Sequence, residues 1–298
     1  MVSCNKNKDR FTDTFTTGVI GVAIDESFEP VMQQEIMVFE QMYPLAGIVP
    51  SYVSETDAFN LFLQDSVRLA ITTRTLSEAE IKSFEERKFF PKSVKIATDG
   101  IALIINKENS DTLITVNQLE NILTGKIRTW NQLYPDGSTD TIKIVFDHPN
   151  SSSVRYALDS ICKGAPLASN IYAQKNNPQV IDFVAKNRNA IGIIGVSWIG
   201  NRNDSTILSF INNVRVMSVS SDMTATPENS YKPYQAYVAL GDYPLTRNIY
   251  ALLNDPRGAL PSGFYTFLTS GRGQQIILKS GIVPATQPIR IVNTRDQL

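Results

Sequence analysis

The sequence predicts an α/β fold in about two domains, and three observations carry that expectation. The chain has 298 residues, and at about 150 residues per domain that is two. Hydrophobic residues make up 42% and charged residues 19%, enough apolar material to offset ordering entropy and form cores, which excludes disorder over most of the chain. From Gly18 onward, strand-sized apolar runs alternate with stretches whose apolar residues fall at helical spacing. That is the wiring of strands feeding helices.

In chain order, residues 19–24 read as a buried strand. Ser27 can cap a helix carrying Phe28, Val31, Met32, Ile36 and Phe39 on one face, ended by Tyr43-Pro44. A strand follows over 48–53, and Thr56 is placed to cap a helix over 57–63. Residues 67–72 read as a strand and 77–87 as a polar helix, with Ser77 and Glu80 in capping-box spacing. Residues 94–106 are extended, with a break expected at Asp99-Gly100. Helices are expected over 116–124, 151–161 and 178–186, and strands over 142–146, 190–196 and 249–253. Residues 201–204 mark a surface turn and 237–240 an apolar stretch. One or two closing helices fall within 263–268 and 273–278.

Charge and composition exclude several classes. Lys+Arg is 28 against Asp+Glu 29, a net charge of -1, which argues against a nucleic-acid grip built on many phosphate contacts. No apolar run approaches the roughly 18–20 residues of a membrane-spanning helix. Two cysteines, Cys4 and Cys162, cannot make a disulfide framework, and Cys162 reads as core. One histidine, His148, and two distant cysteines do not make a metal site. The polar start of the chain lacks an apolar signal region and leaves two readings. One is a frayed cytosolic terminus with an incidental thiol. The other is the mature end of a lipoprotein, with Cys4 acylated, Ser3 as the small residue before it and residues 5–17 as a tether.

Three junctions share one pattern, a strand running into hydroxyl residues where a helix starts: Asp25-Glu26-Ser27-Phe28, Ser54-Glu55-Thr56-Asp57 and Asn150-Ser151-Ser152-Ser153. Each offers free N–H groups and hydroxyl donors at the positive end of a helix, a ready site for an oxyanion. Ser, Thr and Asn are also the ordinary N-caps, so any one cluster reads as a cap by itself. Three successive serines exceed what a cap needs. Thr72-Thr73-Arg74 follows the strand at 67–72, and an arginine there can fork onto two oxygens of a tetrahedral anion. Its plainer role is pairing with Glu78 or Glu80. In an open α/β sheet all these points lie beyond the carboxyl ends of the strands.

Asp25, Glu26, Asp57 and Asp147 lie near these loops, where a carboxylate can simply neutralise a helix dipole. A fixed carboxylate can also accept the proton of a protonated oxyanion, which favours phosphate over fully ionised sulfate. A Ser151/His148 hydrolytic pair is conceivable, but His148 beside Asp147 cannot easily line up with a serine on the next turn. The segment 123–130 lacks the spacing of a phosphate loop and reads as a helix C-cap at Gly125 followed by a turn that packs Trp130 inward.

Leu123-Thr124-Gly125-Lys126-Ile127-Arg128-Thr129-Trp130, followed by Asn131-Gln132-Leu133, resembles a characteristic segment of the periplasmic phosphate-binding proteins of ABC phosphate transporters. Residues 99–106 resemble the strand at their first interlobe crossing. Residues 67–75 resemble their strand ending in Ser-Ser-Arg, here Thr72-Thr73-Arg74, and Ser151-Ser152-Ser153 stands where they have a Ser-Gly-Thr anion loop. Residues 190–196, Tyr243-Pro244-Leu245 and Phe267-Leu268 complete the order. The likeness runs over roughly 18–290.

The resemblance implies a two-lobed class II periplasmic binding protein fold, each lobe a mostly parallel sheet flanked by helices. Lobe one is expected over 18–100 plus 245–292 and lobe two over 101–244, with 1–17 as tether and 293–298 as tail. It implies a non-enzymatic receptor that closes on phosphate and delivers it to an ABC transporter permease. Such a receptor is expected to be periplasmic, lipid-anchored at Cys4 and monomeric, with no metal or other cofactor and no nucleic-acid partner. The alternatives are a receptor for another oxyanion or small organic acid, and a Ser-dependent phosphoester hydrolase. By the resemblance, Ser27, the Phe28 amide, Thr56, Thr73, Arg74, Ser151, Ser152 and Ser153 hold the ligand, with Glu55 a further candidate beside Thr56. The sequence departs from the family where Thr56-Asp57 and Ser152 replace glycines, and where Asp147 stands near the family's arginine. Arg74 would then supply the cation, with Asp147 as proton acceptor or as its partner.

Overall fold

The computed structural model describes residues 13–134, 136–200 and 209–287. Cys4, the turn at 201–204, residues 288–292 of the expected first lobe and the tail at 293–298 lie outside them. In chain order the strands and helices are β1 (Gly18–Asp25), α1 (Glu29–Met42), β2 (Ala46–Val53), α2 (Glu55–Leu63), β3 (Leu69–Thr72), α3 (Glu78–Glu86) and β4 (Lys92–Asn106). Then come β5 (Leu113–Thr115), α4 (Val116–Leu123), β6 (Lys143–Phe146), α5 (Ser152–Tyr156), β7 (Ile171–Ala173), α6 (Asn177–Lys186) and β8 (Ala190–Gly195). The chain closes with β9 (Val214–Val216), β10 (Ser218–Ser220), α7 (Gln235–Leu240), β11 (Thr246–Leu253), α8 (Leu260–Thr269), α9 (Gly271–Lys279) and β12 (Val283–Pro284).

The main sheet runs β2-β1-β3-β11-β4-β8-β6-β7, with β9 and β12 also on β4, and β5 pairs β10 separately. It has two parallel parts, β2-β1-β3 and β8-β6-β7. The long strand β4 joins them. Its residues up to Gly100 pair with β11, and from Ile101 onward it pairs with β8 and then β9. Side chains of β4 beyond that switch alternate between two cores. Ile101, Leu103 and Ile105 join Trp130, Phe146 and α4 on one face, while Ala102 and Ile104 join α6 and the core beneath α1 and α8 on the other. Burial on both faces explains why this stretch is continuously apolar.

The expected break at Asp99-Gly100 is absent: β4 is one strand of 15 residues. Gly100 sits in close packing rather than in a turn: a Cβ there would lie 3.1 Å from Pro233 Cβ. Asp99 is tolerated because Arg247 on the neighbouring strand faces it in register. The helix expected over 151–161 is α over Ser152–Tyr156 and widens to a π-helical turn over Ala157–Ile161. Ser77 and Glu80 form the reciprocal capping box. Gly125 takes a left-handed φ of 79° and Trp130 is buried, and so is Cys162. At α2 the cap is Ser54, not Thr56: its Oγ accepts the Asp57 amide at 3.2 Å.

Candidate functional site

The carboxyl ends of β1, β3 and β6 and the first turns of α2 and α5 meet at the boundary between the two parallel parts. Strand β1 delivers Asp25, whose Oδ1 accepts the Ser27 amide at 3.0 Å and fixes a short 3-10 turn. That turn buries Ser27 and Phe28 completely. Its Ser27 carbonyl accepts Ser197 Oγ at 3.1 Å and Trp198 Nε1 at 3.0 Å from the opposite half. From β6, Asp147 leads into Ser151, whose Oγ caps α5 by accepting the Val154 amide at 3.3 Å. The next two serines are therefore free of capping duty. Ser152 Oγ lies 3.4 Å from Ser27 Oγ, so hydroxyls 125 residues apart touch across the boundary.

A cation completes this group. Arg247, near the start of β11, donates from Nη1 to Ser152 Oγ at 2.6 Å and reaches Ser153 Oγ at 3.5 Å. Its Nε donates to Asp99 Oδ2 at 3.1 Å, and its guanidinium carbon sits 5.0 Å from the centre of the Phe28 ring. The side chain is 3% exposed. The sequence reading placed no role on Arg247. The signal available is weak: Arg247 lies between Thr246 and Asn248, just ahead of the apolar strand residues 249–253.

Arg74 does not join this group. Its guanidinium forks onto Glu80 at 2.8 and 2.9 Å and stacks 3.6 Å from the centre of the Phe59 ring. This is the plainer pairing its position allowed. It holds Glu80 down at a pKa of about 2, with the Ser77 amide and hydroxyl helping. Thr73 belongs to a second cluster. Glu55 Oε1 accepts the Thr73 amide at 2.7 Å and its hydroxyl at 2.6 Å. Arg155 of α5 reaches across to Glu55 Oε2 at 2.6 Å and to Thr73 Oγ1 at 2.5 Å. Burial alone would raise Glu55, but the Arg155 fork and the Thr73 donors hold its pKa below the ordinary value. Thr56 lies at the rim, with Oγ1 donating to the Asn150 carbonyl at 3.3 Å.

The remaining acids lie close by. Asp147 Oδ2 and Glu26 Oε1 each accept from Asn177 Nδ2 at 3.3 Å. Burial raises Asp147 and Asp99, against the pull of Arg247. Burial also lifts Asp25 to about 6. It lifts Glu26 to about 8, with Asp147 and Asp25 adding repulsion. His148 Nδ1 accepts the Asn150 amide at 3.1 Å, so neither His148 nor the capping Ser151 is arranged as a base–nucleophile pair. Among the described residues no group of His, Cys, Asp and Glu is arranged to hold a metal ion.

Two parallel parts of one mixed sheet, joined through β4 and β11 with donors from both converging on the joint, define a two-lobed α/β binding fold of the periplasmic-binding-protein type. The chain belongs to the PBP superfamily: a family model described as a PBP superfamily domain matches residues 12–272. It is similar to the phosphate-binding protein PstS of Pseudomonas aeruginosa, 22% identical over 264 residues that cover 83% of this chain and 76% of the relative. PstS of Borreliella burgdorferi is 23% identical, with 89% of each chain covered. Among solved structures, an ABC-type phosphate transport receptor from Vibrio cholerae superposes with a TM-score of 0.67 at 21% identity, covering 90% of this chain and 100% of that one.

Proposed function

We propose that the protein is a non-enzymatic receptor for inorganic phosphate that closes its two lobes on the anion and hands it to an ABC transporter permease. One observation carries this reading: Ser27, Ser152 and Ser153, from separate segments of both halves, gather around the buried guanidinium of Arg247. Hydroxyls and a forked cation in a water-excluded joint suit a small tetrahedral anion. The PstS relatives carry phosphate binding in their names, and a solved phosphate transport receptor shares the fold. Ser27, the Phe28 amide, Ser152, Ser153 and Arg247 would hold the ligand. Thr73, Glu55 and Arg155 would close over it, and Thr56 would seal the rim.

The switch of partners along β4 at Gly100/Ile101, and the Leu245 carbonyl accepting the Ile101 amide at 2.8 Å, support lobes of 18–100 with 245–292 and of 101–244. Closure would be a hinge motion about β4 and β11. None of the described helices is long and apolar enough to cross a membrane. We place the receptor in the periplasm as a monomer, anchored through Cys4 as the family likeness implies. Isothermal titration of ligand-stripped protein tests the ligand: phosphate should give a saturable heat and sulfate a much weaker one. No heat with phosphate, and a response to another oxyanion or organic acid in a competition panel, would replace phosphate as the ligand.

A further inference from the structure

The joint between the lobes carries more buried acid than base. Asp25 at the end of β1, Asp99 on β4 and Asp147 after β6 are all fully buried. Glu26 follows Asp25, and Glu29 at the start of α1 adds its field to Glu26. Helix α6 contributes only the neutral Asn177. From α2 and α5, Glu55 and Arg155 satisfy each other in their own fork. Among the described residues, Arg247 is the one cation bonded to the remaining group. Three buried carboxyls therefore share a single guanidinium, with Glu26 beside them.

Hydrogen bonding divides these carboxyls. Asp99 Oδ2 accepts from Arg247 Nε at 3.1 Å. Asp25 uses Oδ1 on the Ser27 amide, and Asp147 uses Oδ2 on Asn177. The other oxygens, Asp25 Oδ2 and Asp147 Oδ1, are buried without a partner, as is Asp99 Oδ1, but only Asp99 has a guanidinium on its second oxygen. A bare buried carboxylate oxygen is costly, and a protonated one needs only an acceptor.

Resting on the phosphate reading, we propose that this receptor takes up its anion together with protons. Asp25 and Asp147 serve as O–H donors to phosphate through Oδ2 and Oδ1, rather than as bare acceptors. The protons come from solvent as the cleft closes, so site and anion are buried nearer neutrality. Because the complex then holds more protons than the free partners, affinity falls as pH rises, by up to about tenfold per pH unit for each linked proton.

Phosphate has a titration of its own, so the test compares variants. Phosphate binding is measured by titration calorimetry between pH 5.5 and 8.5, in buffers of different ionisation enthalpy, for wild type, Asp25→Asn and Asp147→Asn. Circular dichroism checks that each variant is folded. An amide keeps a donor where the protonated acid has its O–H, so both variants should still bind phosphate at pH 6, more weakly than wild type. Each should also take up fewer protons than wild type at pH 8 and lose affinity less steeply. Equal proton uptake in all three proteins would assign the protons to phosphate alone and overturn the proposal. Folded variants that no longer bind at pH 6 would overturn it too, by showing that ionised acceptors are required. A wild type that binds no phosphate at any of these pH values would remove the receptor reading itself, and the proposal with it.

Discussion

Arg247 and Arg74 show how much of a residue's role depends on what tertiary structure sets beside it. Both follow or open a strand near the same edge, yet only Arg247 is buried against hydroxyls of the opposite half. Arg247→Gln should abolish measurable phosphate binding in titration calorimetry. It should also destabilise the protein by about 3–5 kcal/mol in urea unfolding, because Asp99 is left buried and unpaired. Arg74→Ala should leave affinity within about twofold. Its pair with Glu80 is partly exposed, so stability should change by about 1 kcal/mol or less. A large loss of affinity in Arg74→Ala would return Arg74 to the site.

Glu35 makes a separate residue-scale prediction. It is fully buried on α1 with neither carboxyl oxygen partnered, and burial raises its pKa to about 9. The native state therefore holds a proton that the unfolded chain releases above about 4.5. This contribution is favourable at low pH and is lost as pH rises towards 9. In thermal unfolding of ligand-free protein, Glu35→Gln should raise Tm at pH 8 relative to wild type, with the gain shrinking at pH 5. A Tm difference independent of pH would contradict the assignment.

At the scale of elements, local chemistry was readable and long-range pairing was not. The Ser77–Glu80 capping box, the end of α1 before Tyr43-Pro44 and the Gly125 turn each depend on residues within a few positions, and the structure shows all three. The short strands β5, β7, β9, β10 and β12 have two or three residues each and no period to read. They exist because neighbouring strands supply their partners. Asp99 looked like a break in β4 because a lone acid fits poorly in a buried strand. Its partner Arg247 lies 148 positions away, and no local pattern links them. The same separation hid Arg247 itself, while the serine loops, which are local, were visible.

One element also depends on a single missing side chain. Gly263 in α8 lies against the segment leading into β1, where an added Cβ would fall 1.8 Å from the Phe15 carbonyl oxygen. Gly263→Ala must push that backbone away and should cost about 1–3 kcal/mol in urea unfolding despite alanine's better helix propensity. A neutral or stabilising effect would mean that the segment yields freely.

On the scale of the whole molecule, the lobes are held together by contacts of several kinds: the Glu55–Arg155 fork, Thr56 on Asn150, Ser197 and Trp198 on the Ser27 carbonyl, and Arg247 on Ser152. These contacts favour the closed arrangement, and a ligand that needs that arrangement is bound more weakly when one is removed. Arg155→Ala should weaken phosphate about tenfold and enlarge the radius of gyration of ligand-free protein in small-angle scattering. An unchanged radius and affinity would show that the fork plays no part in closure.

The central claim is that hydroxyls of both halves and the Arg247 guanidinium meet on one anion. A crystal structure grown with phosphate tests it most directly. The account predicts a single tetrahedral anion within about 3.2 Å of Arg247, Ser27 and Ser152, enclosed between the lobes. An anion seated on Arg74, or held by one half alone on an outer surface, would contradict it.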